Sequence, residues 1–187
     1  MPALALLAAV PLIPLIYLVL TYNTLVALRN HIKEAWSNID TELKRRYELI
    51  PNLVATVKGY AAHEEAVLTK VVALRTQCMA NHGTTAEQAA DEIRLVEAMK
   101  QMMVVVERYP TLKADQHFLE LQRELVNTED RIQAARRFFN GNVRDYANKR
   151  EMFPSSLVAS AFSFAPMDYF EVEPVVRQAV KVTGLTD

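Results

Sequence analysis

The stretch FLELQRELVNTEDRIQAARRFFNGNVRDY, residues 118–146, decides the fold. Its large apolar residues recur three or four positions apart, a spacing that places them on one side of an α-helix, with Arg, Glu and Gln on the other sides. The positions on that side are Phe118, Leu121, Leu125, Thr128, Ile132, Ala135, Phe139, Asn142 and Tyr146. Because a one-sided helix has to bury its apolar side against other helices, this stretch predicts a helical domain.

Three earlier segments repeat the same spacing and predict three further helical stretches. Their apolar positions are Leu25, Leu28, Ile32, Ala35, Ile39 and Leu43 in the first, Leu53, Val57, Tyr60, Val67, Val71, Leu74 and Cys78 in the second, and Ala89, Ile93, Val96, Met103 and Val106 in the third. Thr84 and Glu87 have the spacing of a capping box at the start of the third segment.

Breaks between these segments indicate how the helices are connected. Asn81-His82-Gly83 and the region of Pro110 supply reversals of direction, so an antiparallel bundle of about four long helices is the simplest arrangement. Pro51 is either a turn or a kink within one very long helix, and the sequence leaves both open. Only four of the 187 residues are glycine, against a usual share of about 7%, which also favours few turns and long helices.

The beginning of the chain predicts a membrane anchor. Residues 3–20, ALALLAAVPLIPLIYLVL, are almost wholly apolar, and with residues 21–26 they are long enough to cross a bilayer. A cleaved signal peptide is the rival, but no basic residue precedes the apolar run and no small-residue cleavage site follows it. We therefore expect an uncleaved anchor, whose helix Pro11 and Pro14 should kink.

The charges around this anchor predict its orientation. Arg29, Lys33 and the cluster Lys44, Arg45 and Arg46 follow the apolar run, and no cationic side chain precedes it. The positive-inside rule then favours a cytoplasmic location for the bulk of the chain at the bacterial inner membrane, with an extracytoplasmic location left open. The same cluster is a candidate surface for acidic lipid or an acidic partner.

The last part of the chain changes character. Residues 153–170 read FPSSLVASAFSFAPMDYF, with Asp168 as the only charged residue. One interpretation is a short helix and turn that fold back to close one end of the bundle. The other is an adhesive surface for lipid headgroups or a second subunit. The aromatic residues concerned are Phe153, Phe162, Phe164, Tyr169 and Phe170.

No residue pattern indicates catalysis, a metal or a cofactor. The four histidines show no pairing at i and i+4, and the start of a zinc-binding helix at His63-Glu64 fails because Val67 stands where a second histidine is needed. Cys78, the single cysteine, lies in an apolar row and is expected to be a small buried residue. The net charge of −1 argues against a nucleic-acid partner.

Several blocks of the sequence resemble the LemA family of bacterial proteins. They are YNTLVALRN (22–30), EAWSNIDTELKRRYELIPNLVATVKGYAAHE (34–64), YPTLKADQHFLELQRELVNTEDRIQAARRFFNGNV (109–143), FPSSLVASAFSF (153–164) and YFE (169–171). The resemblance implies a membrane-anchored antiparallel helical bundle without an established enzymatic activity. Some family members carry a lipoprotein cysteine before the YN, which this chain lacks.

Together these observations predict an all-α protein, with an N-terminal single transmembrane helix followed by an antiparallel bundle of about four long helices. Residues 1–24 are the expected anchor, 25–152 the LemA-like helical bundle, and 153–187 the aromatic-rich closing segment and C-terminal tail. We expect a non-catalytic scaffold or adaptor whose partners are the lipid bilayer, further copies of itself or a membrane protein. The alternatives are a regulatory subunit of a membrane protease or other membrane enzyme, and an oligomeric membrane-remodelling protein.

Overall fold

The structure, a computed structural model, describes residues 12–170. Within that range it contains six α-helices, one 3-10 turn at Ala62–Glu64 and no strand, so the predicted all-α class is confirmed. The helices are α1 (Leu12–Tyr60), α2 (Glu65–Ala80), α3 (Thr85–Val106), α4 (Pro110–Lys113), α5 (Gln116–Glu151) and α6 (Ser155–Ala161).

Two long helices, α1 and α5, form the spine of the bundle and run antiparallel. At one end the Tyr60 hydroxyl donates a hydrogen bond to Asp115 at 2.9 Å, and further along the Trp36 ring packs against Phe139 with their centroids 5.5 Å apart. The hairpin of α2 and α3 packs on the second half of α1, whereas α6 packs on the first half of α1 and the end of α5. The predicted reversal at residues 81–83 lies between α2 and α3, and Pro110 begins the one-turn helix α4 that connects α3 to α5.

Pro51 neither turns the chain nor ends the helix, because α1 runs through it to Tyr60. Proline has no backbone N–H, so the carbonyl four residues earlier, that of Tyr47, loses its helical partner. The Arg75 side chain of α2 replaces this partner: its Nε donates to the Tyr47 carbonyl oxygen at 2.5 Å. A contact between two helices therefore compensates for the missing hydrogen bond within one of them.

The predicted apolar rows of α1 and α5 correspond largely to the core, except that Tyr60 is 43% exposed. The predicted row of α3 was only partly correct. Ala89 and Val106 are buried, whereas Ile93, Val96 and Met103 are half-buried at the margin of the core. The core side of α3 is instead formed by Asp91, Glu92, Leu95, Ala98, Met99, Met102, Val105 and Val106. Two of these residues, Asp91 and Glu92, are acidic, and each contacts polar or charged side chains from other segments of the bundle. The predicted capping box of Thr84 and Glu87 is present at the start of α3.

The first two turns of α1 project beyond the bundle. Residues 12–20 are all exposed, Thr21 is the first buried residue, and Leu25 is the first core residue. Among the described residues, α1 is the one helix long and apolar enough to cross a membrane, judged by length and composition. Pro14 lies in the first described turn of α1, and Pro11 lies outside the described residues, as do residues 171–187 of the predicted tail.

Candidate functional site

A charged cluster lies inside the bundle where α1, α3 and α5 meet. Arg46 of α1 is 1% exposed, and its Nη1 donates to the two carboxylate oxygens of Glu129 on α5 at 2.9 and 3.2 Å. The same guanidinium forms an ion pair with Glu92 of α3, which also accepts a hydrogen bond from the Tyr47 hydroxyl. A buried ion of this kind is strongly disfavoured without its partners, so Arg46 requires that α1, α3 and α5 meet at this point.

A second polar contact joins α2 to α3. Asp91 accepts hydrogen bonds from Gln77 Nε2 at 2.8 Å and from Asn81 Nδ2 at 2.7 Å. These amides satisfy the carboxylate that the apolar spacing alone would have placed in solvent. Asp91 and Glu92 thus both face inwards towards polar partners. The signal in the sequence that could have revealed this is a second row of α3 at three- and four-residue spacing: Glu92, Leu95, Met99, Met102 and Val106.

Cys78 lies beside this region and is buried, as its apolar row predicted. Burial is the main cause that raises the pKa of its thiol to about 11, with the nearby Asp91 raising it further and Arg46 opposing. The thiol is therefore protonated at neutral pH and is a poor nucleophile. Within residues 12–170 no group of three or more His, Cys, Asp or Glu side chains is arranged to hold a metal ion.

A groove with a volume of about 860 Å³ runs between α3 and α5. It extends from Gln122 to Asn140 of α5, which is about 27 Å at 1.5 Å per residue. Its apolar lining consists of Ile93, Val96, Met99, Met103, Leu125 and Val126, and its charged lining consists of Glu97, Lys100, Glu129, Asp130, Arg136 and Arg137. Three of the residues that the α3 prediction assigned to the core, Ile93, Val96 and Met103, thus line a surface groove.

After α6 the chain continues as an extended segment, residues 164–170, that lies along α5. Side chains of α5 hold its backbone: Asn140 donates to the Phe170 carbonyl at 3.1 Å and accepts from the Phe170 N–H at 2.9 Å. The Tyr146 hydroxyl donates to the Ala165 carbonyl at 2.7 Å, and Arg150 Nε donates to the Phe164 carbonyl at 3.0 Å. These bonds supply the partners that an isolated extended strand lacks.

The structure divides the five predicted aromatic residues into two groups. Phe164 and Phe170 are buried. Phe164 packs on Tyr22 with ring centroids 5.7 Å apart, and Phe170 packs on Trp36 at 5.5 Å. These two rings belong to the closing contact and are not available to a partner.

The other three predicted aromatic residues face solvent. Phe153 is 80% exposed, Phe162 48% and Tyr169 40%. Phe153 and Phe162 flank α6, whereas Tyr169 precedes Phe170 at the other end of the extended segment. The closing interpretation therefore holds for Phe164 and Phe170, and the adhesive-surface interpretation stays a prediction for Phe153, Phe162 and Tyr169.

The predicted basic surface is also divided. Lys44 is exposed and pairs with Asp40 at 2.6 Å, and Arg45 is exposed. Arg46 is buried in the charged cluster and does not belong to this surface, because its guanidinium is directed at Glu92 and Glu129. The sequence showed three adjacent cations but not the acidic partners that other helices bring to one of them.

The sequence of this helical bundle matches a known protein family. The family model of the LemA family matches residues 35–183. The chain belongs to the LemA family. A curated relative of this LemA-family chain, magnetosome protein MamQ 2 of Paramagnetospirillum magneticum, is 25% identical over 182 residues, which cover 84% of this chain and 67% of the relative.

Two further relatives agree with this assignment. Magnetosome protein MamQ of Magnetospirillum gryphiswaldense is 24% identical over 182 residues, with coverage of 84% of this chain and 67% of the relative. Protein LemA of Metamycoplasma hominis is 24% identical over 164 residues, with coverage of 87% of this chain and 74% of the relative. The chain is thus a LemA-type, membrane-associated helical protein.

Proposed function

We propose that this LemA-family protein is a membrane-anchored scaffold, which holds a helix-binding groove at a fixed height beside the bilayer. The observation that carries the proposal is the continuity of α1, which passes from its exposed apolar start into the core of the bundle without a break. The 49 residues of α1 extend over about 70 Å at 1.5 Å per residue. The anchor and the bundle are in this proposal one rigid element.

The role is one of position rather than catalysis. The buried charges are engaged with one another, because Arg46 pairs with both Glu92 and Glu129. Confinement to the bilayer raises the effective concentration of any membrane protein that meets the groove.

We further propose that the bundle lies in the cytoplasm at the inner membrane, because Arg29 and Lys33 are the first charged residues after the apolar run.

The proposed occupant of the groove is an amphipathic helix of another membrane-associated protein. The groove lies between two helices, and its lining extends over about 15 Å of α3 and about 27 Å of α5, which corresponds to roughly 10 to 18 residues of a bound helix. Apolar side chains, among them the adaptable Met99 and Met103, form its floor, and acidic and basic side chains line it together. This combination matches the apolar face and the charged flanks of an amphipathic helix.

Deletion of residues 1–20 tests the anchor. We expect the full-length chain to stay in the membrane when membranes are washed with alkaline carbonate, and the chain without residues 1–20 to be released. Since core burial in α1 begins at Thr21 and Leu25, the deleted chain should keep its helical circular dichroism spectrum. An unfolded product would contradict the independent bundle, and a product that still resists extraction would contradict the anchor.

A photo-crosslinking amino acid tests the groove in living cells. It is placed at Val96, which lines the groove. For comparison it is placed at Val104, which lies on the same helix, is 69% exposed and does not line the groove. We expect a discrete adduct from position 96 that is absent from position 104. A product with the mass of two copies would make the groove a dimer interface, and equal labelling from both positions would exclude a specific partner.

A further inference from the structure

We propose that the end of the bundle around α6 enters the lipid headgroup layer beside α1 and forms a second contact with the bilayer. This surface, the α6 tip, consists of Met152, Phe153, Leu157 and Phe162. The inference rests on the proposed function in one respect, since it requires that the apolar start of α1 spans the membrane. It adds a lipid-binding surface that the span itself does not require.

The position of the α6 tip follows from an aromatic contact. The ring of Phe162 packs against Tyr22 of α1, with their centroids 4.8 Å apart. Tyr22 lies two residues after the exposed run 12–20 and next to Thr21, where burial in the bundle begins. The tip is therefore level with the point at which α1 leaves the bundle. If the apolar run spans the bilayer, this is the level of the interface, where tyrosine rings are enriched.

The exposure of the tip shows that folding leaves much of the surface of its side chains in solvent. Met152 is 64% exposed, Phe153 80%, Leu157 64% and Phe162 48%. The opposite side of α6 is satisfied, since Val158 and Ala159 are buried and the helix packs on α1 and α5. A cluster of large apolar side chains in solvent usually marks an interaction site.

The charges around the tip favour lipid as its occupant. Residues 152–167 contain no charged side chain, whereas Arg29 and Arg150 both contact Phe164 on the bundle side, and Glu151 pairs with Arg150 at 3.0 Å. An apolar surface backed by cations matches the boundary between acyl chains and anionic headgroups. The contact of Phe162 with Tyr22 also places the tip next to the exposed start of α1, so if that start spans the bilayer, a soluble partner would have to reach the tip through the headgroup layer.

Depth-dependent quenching in vesicles tests the proposal on the full-length chain. Phe153→Cys and Leu157→Cys are labelled with an environment-sensitive fluorophore, and Cys78 does not interfere because it is buried. Phe138→Cys is the matched control, since Phe138 is an apolar residue of α5 with 58% exposure that lies outside the tip. The vesicles contain anionic lipid and a lipid with a nitroxide close to the headgroup.

We expect the label to lose most of its fluorescence at positions 153 and 157 and little at position 138. Equal, weak quenching at all three positions in protein that floats with the vesicles would overturn the α6 tip and leave the proposed function intact. A blue-shifted label that the nitroxide does not quench would also overturn it, in favour of cover by a second copy. A chain that does not float would overturn the proposed function and the tip with it.

Discussion

At the scale of single residues, a defect in one helix is repaired by a side chain from another. Pro51 leaves the Tyr47 carbonyl without a helical donor, and Arg75 supplies that donor. A buried acceptor without a partner typically costs about 1–3 kcal/mol. The proline that interrupts the hydrogen bonds of α1 thereby creates a specific docking point for α2.

A double-mutant cycle on this pair is our prediction at the residue scale. Arg75→Leu should lower the free energy of unfolding by about 1–3 kcal/mol in the natural sequence, because the Tyr47 carbonyl loses its donor. In the Pro51→Ala background the backbone N–H returns, and the same change should cost much less. The measurement is chemical denaturation in detergent. Equal losses in both backgrounds would show that Arg75 does not compensate for the proline.

At the scale of elements, the sequence predicted apolar contacts better than polar ones. The rows of α1 and α5 were recognisable because nearly all of their core positions are apolar. The observed core side of α3 differs from the predicted one because Asp91 and Glu92 face inwards. Their partners Gln77 and Arg46 come from other helices, which local spacing does not reveal. Arg46 was assigned to the surface for the same reason. The division of the tail aromatics likewise depends on contacts between distant segments.

The extended segment after α6 gives a prediction at this scale. Asn140→Ala removes both hydrogen bonds to the Phe170 backbone, so the Phe170 end of the segment should detach and the Phe170 ring should leave Trp36. Because Trp36 is the single tryptophan, its fluorescence should shift to longer wavelength as water reaches it.

The matched control for this change is Asn142→Ala. The Asn142 side chain donates to the Phe138 carbonyl within its own helix, so its loss should leave the emission of Trp36 unchanged. An unshifted spectrum in Asn140→Ala, or the same shift in both variants, would show that the asparagine does not hold the segment.

At the scale of the whole molecule, the buried weak acids make stability depend on pH. Burial raises the pKa of Cys78 from 9.0 to about 11, and burial raises that of Tyr47 as well. Above the unfolded pKa the unfolded chain loses these protons while the folded chain keeps them, so folding binds protons and stability falls as the pH rises. This contribution to the free energy of unfolding is fully present below about pH 9 and is lost as the pH rises through the pKa of the folded state.

Alkaline titration of stability is the corresponding prediction. Between about pH 9 and pH 11 the free energy of unfolding should fall, with a contribution from Cys78 on the order of 2 kcal/mol. In Cys78→Ala the decline should be shallower over that interval, and the two proteins should run parallel below it. Identical slopes above pH 9 would exclude the thiol as a source of the pH dependence.

The uninterrupted course of α1 has a mechanical consequence. Hydrocarbon thickness influences how far a spanning helix leans from the bilayer normal. Because α1 is one continuous helix from Leu12 to Tyr60, in the proposed membrane-spanning arrangement a lean of about 10° would displace its far end, about 70 Å away, by about 12 Å. In the proposed scaffold, local bilayer thickness would thus be converted into lateral displacement of a bound partner.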